Sequence, residues 1–238
     1  MDIDRIHRQL AVFIRRHRTR FYELPLIQTQ LLELGAVTLT SEHYRLNGYT
    51  VTVNNLVEGR FRVKLSARGY PWNYSWFTVS RGDVRFEIHT NVAVESAHGD
   101  DGVYVVDVGV CIADRIPRSR PLQGKWTALD NHDLATFVEA KKLVVYPMLL
   151  AQFVGIVHEI RPECLLPPPK GHSEVGHHDP ALVSTGHPAA TSLAIAQGFE
   201  KRGFRIAVIP SFDLMLSQMR KGQIHESPFE RRLGRDWN

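Results

Sequence analysis

The run Val103-Tyr104-Val105-Val106-Asp107-Val108-Gly109-Val110-Cys111 constrains this chain most, because it is rich in β-branched side chains and carries a single charge at its centre. Such a run reads as a buried strand. A lone carboxylate inside one is costly unless a partner or a metal accompanies it. A second segment that reads as a buried strand, within Asp133–Leu143, carries Glu139 and Lys141 two residues apart. Side chains alternate along a strand, so these two point the same way. Two strands thus offer two carboxylates and one ammonium.

The surrounding pattern supplies more of a sheet. Tyr49–Val53, Arg60–Leu65 and Trp76–Val79 alternate or are rich in strand formers, with turn signals at Asn54-Asn55, Arg68-Gly69 and Arg81-Gly82-Asp83. Strands about Val84–Val94 and Val103–Cys111 flank the polar segment His98-Gly99-Asp100-Asp101-Gly102, which signals a hairpin. Residues 113–131 read as loop, with a short helix near His132. Helical spacing of Ile3, Ile6, Leu10, Phe13 and Ile14 predicts an amphipathic opening helix over 3–18. A second helix is predicted from about Pro25 to Leu34, with Pro25 in its first turn and Gly35 as its stop.

Tyr146–Ile160 reads as an apolar helix buried on most of its surface, and the proline-rich stretch 161–180 as a long irregular connection. Strand Ala181–Ser184, helix 189–202, a stop at Gly203 and strand 205–209 imply a parallel pair with a right-handed crossover. The fold class expected is α/β of the mixed α+β kind, a central mixed sheet flanked by helices. One domain is expected over 1–238: N-terminal helices and strands in 1–83, a core sheet in 84–210 and a basic tail in 211–238.

Composition narrows the setting. With 238 residues, 43% hydrophobic and 23% charged, the chain has the profile of a soluble globular protein. The longest apolar stretch is interrupted by Tyr146, Pro147, Gln152 and Gly155 and is too short to span a bilayer. No membrane partner is expected. The acidic start leads into an arginine-rich segment without an apolar h-region, so cytoplasmic residence is expected. Cys111 and Cys164 are too few for a disulfide framework or a four-cysteine zinc site. The net charge of +4 is concentrated at the ends, with Arg15, Arg16, Arg18 and Arg20 early and Arg220, Lys221, Arg231, Arg232 and Arg235 late. Such clusters suit a phosphate backbone, and equally a solvated helix face.

Opening helices, a hairpin bearing Asp107, a strand bearing Glu139-Ala140-Lys141, a helix and a further strand form an order that resembles the PD-(D/E)XK nuclease superfamily. The resemblance covers roughly 84–160 by motif and the rest by element order. It implies a restriction-endonuclease-like core with an N-terminal helical and β extension, and a Mg²⁺- or Mn²⁺-dependent nuclease cutting phosphodiester bonds, in DNA more than RNA, within a defence, restriction or repair system. Asp107 and Glu139 are hard oxygen ligands suited to such ions. The resemblance adds the backbone carbonyl of Ala140 as a further metal ligand. Lys141 would position water or stabilise charge on the scissile phosphate.

Further positions carry weaker expectations. Gln152 lies in the next helix where some exonuclease branches carry a glutamine followed four residues later by tyrosine, although Ile156 stands at that later place here. Glu87 and His89 share a strand face and could assist metal or water. Glu23 or Glu33 could supply the additional acid that some members place on an opening helix. Two bland alternatives stand beside this reading: an ordinary Asp107–Lys141 ion pair with Glu139 solvated at a strand end, and a catalytically inactive nuclease-fold module for nucleic-acid binding or complex assembly. A homodimer or a place in a larger complex is compatible with either. Nucleotide binding at the turn Ser184–Pro188 ranks below both, with one glycine and no following lysine. His172, His177, His178 and His187 lack zinc-ligand spacing, and Tyr70, Trp72, Tyr74 and Trp76 read as core before they read as base-stacking platforms.

Overall fold

The structure, a computed structural model, describes residues 10–12, 14–21, 28–119, 127–166 and 177–211. Its centre is a seven-stranded mixed sheet, mostly antiparallel, flanked by helices. After helical residues at 10–12 and 14–17 come β1 (Arg20–Phe21), α1 (Gln28–Leu46), β2 (Thr50–Asn54), β3 (Arg60–Phe61), β4 (Trp76–Arg81), β5 (Val84–Glu95) and β6 (Val103–Ile112). β7 (Leu134–Lys141), α2 (Pro147–Ile160), β8 (Ala181–Ser184), α3 (Ala190–Lys201) and β9 (Ala207–Ile209) follow. The sheet order is β2-β4-β5-β6-β7-β8-β9, antiparallel from β2 to β7 and parallel from β7 to β9. Among the described residues no helix is long and apolar enough to cross a membrane.

Two apolar clusters cover the sheet. One packs Leu32, Leu34, Val37 and Tyr44 of α1 against Phe77, Ile88, Val108 and Val138; the other packs Leu150, Phe153 and Val157 of α2 and Phe199 of α3 against Phe137 and Leu182. Each fully buried Phe or Leu contributes about 1.5–3 kcal/mol relative to exposure.

Three expectations require correction. α1 does not stop at Gly35 but continues to Leu46. A glycine inside a helix costs about 1 kcal/mol against alanine, and burial of Ala36, Val37, Leu39 and Tyr44 beyond it offsets that cost. The hydroxyls in this buried stretch bond back to the helix itself, Thr38 to the Gly35 carbonyl at 2.8 Å and Thr40 to that of Ala36 at 2.9 Å. Arg60–Leu65 is not a full strand; Arg60–Phe61 pairs in parallel with β1 as a separate two-stranded sheet. α2 buries Leu149, Leu150, Phe153, Val157 and Ile160 but exposes Met148 and Gln152, so only one face is covered.

The alternation of side chains reverses in mid-sheet. Phe86 and Ile88 belong to the α1 cluster, whereas Val92 and Val94 belong to the α2–α3 cluster; on the facing strand Val108 and Val110 belong to the first and Val106 to the second. Even-numbered residues would share a face in an unbroken strand. The reversal falls at Asn91 and Asp107, which the ladder leaves unpaired between Thr90↔Val108 and Val92↔Val106. Asn91 adopts φ 51°, the left-handed region in which Asn is enriched.

Candidate active site

Asp107 therefore sits where the regular sheet is interrupted on both sides. The β6–β7 ladder reaches Val108↔Val138 and goes no further toward Asp107. In its place the Asp107 carboxylate enters the gap: Oδ2 accepts the Ala140 N–H at 2.7 Å and the Lys141 ammonium at 2.9 Å. Lys141 Nζ also contacts Glu139 Oε2 at 2.7 Å. One ammonium thus bridges two carboxylates from neighbouring strands. The Glu139 side chain is 3% exposed and that of Lys141 34%, so the cluster is deep but reaches solvent along the lysine.

Glu139 is not the solvated strand-end residue of the simple ion-pair alternative. Its Oε1 is buried and has no hydrogen-bond partner among the described residues. Burial, and next the charge of Asp107, push its carboxyl up to about 7, with Lys141 only partly offsetting them. Burial alone would push Lys141 down, but the charges of Glu139 and Asp107 raise it above its ordinary value and keep it an ammonium. A third acid stands behind. Glu33 of α1 accepts the Asn91 amide at 3.1 Å, and burial together with the charge of Asp107 raises its carboxyl. Of the two acids considered for this role, Glu33 is at the site and Glu23 lies outside the described residues.

Asn91 and Lys64 were not anticipated. Asn91 donates to the Lys64 carbonyl at 2.9 Å as well as to Glu33. The Lys64 ammonium donates to the Asn91 carbonyl at 2.6 Å and to the carbonyls of Ser66 and Ala67, and burial lowers it to about 8. Together they hold the interrupted stretch of β5 opposite Asp107. An amide in the middle of a β-branched strand was the one visible signal for Asn91.

The turn after β8 buttresses the same edge. Thr185 and Gly186 donate backbone N–H groups to the carbonyls of Lys141 at 3.4 Å and Leu143 at 3.2 Å, and Ser184 Oγ also donates to Leu143. A side chain on Gly186 would meet Val144 Cα at 2.6 Å and the Leu143 carbonyl at 2.7 Å. The glycine is thus explained by backbone packing behind Lys141, with no phosphate needed.

Other expected positions fall elsewhere. Glu87 and His89 pair with each other, Nε2 to Oε2 at 3.0 Å, and Arg118 reaches Glu87 Oε1 at 2.7 Å. Glu87 faces Cys111, four residues or roughly 13 Å along the strand from the Asn91–Asp107 row, so the structure does not bring this pair to the centre. Gln152 lies on the exposed side of α2, and no hydrogen bond joins it to Asp107, Glu139 or Lys141. Arg15, Arg16, Arg18 and Arg20 are exposed, and Arg16 and Arg45 both pair with Glu42. Tyr70 stacks on Trp72 with centroids 4.5 Å apart, and the Trp76 ring contacts both His89 and Arg118. His177 contacts Tyr44, and His178 is buried beside Thr136 and Asp179. His172 and the arginines and lysine beyond 211 lie outside the described residues.

Comparison with protein-family models, with curated proteins and with solved structures returns no match to this chain.

Proposed function

We propose that the protein is a divalent-metal-dependent nuclease, with DNA its favoured substrate. The observation that carries this reading is the convergence of Asp107, Glu139 and Lys141 where β6 and β7 part, with Glu139 Oε1 buried and without a partner among the described residues. A wholly structural cluster would satisfy that oxygen. Asp107, Glu139 and the Ala140 carbonyl would hold Mg²⁺ or Mn²⁺, hard ions that favour oxygen ligands, and the orphaned oxygen fits that demand. When bound, the ion would activate water and neutralise charge on the scissile phosphate.

The chain's own residues define the remaining roles. Lys141, held as an ammonium, cannot serve as a base; it donates hydrogen bonds to water or to a phosphate oxygen and so favours the charge that develops there. Asp107 orients that ammonium and ties the Ala140 peptide in place. Glu33 places a further carboxyl behind Asp107, held by the Asn91 amide. The order α1, β5, β6, β7, α2, β8, with β7 and β8 parallel, supports a restriction-endonuclease-like core. Exposed arginines at 15, 16, 18 and 20 offer a basic surface for the backbone of a nucleic acid.

The test is a cleavage panel of plasmid, linear and single-stranded DNA and RNA at low salt with Mg²⁺ or Mn²⁺, run beside Lys141→Ala. Cutting by the wild type and none by the variant, with DNA binding retained, is the expected result. Intact substrates under every condition would favour the inactive binding module instead.

A further inference from the structure

We propose a second metal site, outside the carboxylate–lysine centre, in which His98, His158 and Glu159 bind a transition ion of the zinc type and join the β5–β6 turn to the end of α2. One ligand atom from each of the three lies within 4.8 Å of the others. His98 comes from the turn, and His158 and Glu159 from the last turn of α2. The backbone already ties these elements, Ala97 donating to the Glu159 carbonyl at 2.7 Å. The two imidazoles lie face to face with centroids 4.7 Å apart.

The ligands have outer partners of the kind that orient metal-binding side chains. His98 Nε2 lies 3.1 Å from the His158 carbonyl oxygen. Only a protonated Nε2 makes that a hydrogen bond, which leaves the Nδ1 lone pair free for an ion in the neutral ring. Tyr104 Oη donates to Glu159 Oε2 at 3.0 Å and fixes the carboxylate, while Oε1 lies 3.4 Å from His158 Nδ1. The carbonyl end of α2 contributes negative partial charge, which favours a cation. Two imidazoles and one carboxylate form a set suited to Zn²⁺, with a fourth tetrahedral position for water, and poorly suited to Mg²⁺. The two sites are therefore separable by metal as well as by residue.

Zinc uptake by the full chain, measured by calorimetry with Co²⁺ absorption as a spectroscopic check, tests the assignment. Wild type and Asp107→Ala are expected to bind equal numbers of Zn²⁺ ions, and His98→Ala and His158→Ala one fewer. Zn²⁺ should raise the wild-type Tm by mass action, and this increment should vanish in the histidine variants. Tyr104→Phe should weaken binding about 10- to 100-fold. Should a histidine variant fold poorly, Glu159→Gln and Tyr104→Phe carry the same test. Equal uptake and equal affinity across wild type and these variants, or loss of the ion in Asp107→Ala alone, would overturn the assignment.

Discussion

Two buried glutamates each contact a basic residue two places along the same strand of one sheet, Glu87 with His89 in β5 and Glu139 with Lys141 in β7. They share strand spacing and nearly equal burial, at 0% and 2% exposure. At Glu87 every oxygen is met: neutral His89, its basicity lowered by burial, donates to Oε2, and Arg118 closes Oε1. Burial pushes the Glu87 carboxyl up, but the His89 hydrogen bond and the adjacent positive charge more than offset it, and the group ends below its ordinary value. At Glu139 one oxygen is met and one is not, and the carboxyl is pushed up to about 7. Burial is thus no guide to function by itself. What separates a structural pair from a candidate active centre is whether the local donors saturate the acid.

Variants can break or sharpen this contrast. The largest effect is expected from Lys141→Ala, which should lower cleavage at least about 100-fold while DNA binding, read by mobility shift, is retained. Glu87→Gln should leave cleavage and Mn²⁺ affinity unchanged but cost about 1.5–3 kcal/mol of stability in chemical denaturation, because a charged acceptor of two donors is lost. Gly186→Ala forces a methyl group against the backbone behind Lys141 and should cost about 1–3 kcal/mol with a parallel drop in cleavage.

The smallest effect is one of pH. Between 4.5 and about 7 the folded chain retains on Glu139 a proton that the unfolded chain has lost, so this group makes stability fall as pH rises through that window. Glu139→Gln should flatten that fall by on the order of 1–2 kcal/mol, less than an isolated group would give because Lys141 and Asp107 titrate with it. Thermal melts of both proteins across the window read the difference. A wild-type slope unchanged by the substitution would place the contrast with Glu87 elsewhere than in protonation.

Much of the frame was legible in the chain. The β-branched runs at about Val84–Val94 and Val103–Cys111, the hairpin signal between them and the final strand–helix–strand unit lie within two residues of the elements in the structure. Those signals are local, set by side-chain shape and turn chemistry. α1 was cut short because Gly35 resembles a stop, and only burial against the sheet carries the helix past it. Asp107 and Glu139-x-Lys141 were visible because charge is rare in such strands, and the structure brings those side chains into contact. Asn91 stood out only as an amide in a β-branched strand, and its role was hidden, since it depends on a left-handed backbone and on Glu33 arriving from another element. The buttress at Gly186 was equally hidden, because its cause is the backbone of Leu143 and Val144 approaching from the far side of a turn.

The most direct test is a Mn²⁺ binding isotherm by calorimetry, taken in a His98→Ala background so that the histidine cluster contributes nothing. The unsatisfied Glu139 centre predicts one Mn²⁺ ion bound, lost with Asp107→Ala and retained with Glu87→Gln. No uptake, or uptake indifferent to Asp107→Ala, would contradict it and leave the Asp107, Glu139 and Lys141 cluster a structural ion pair.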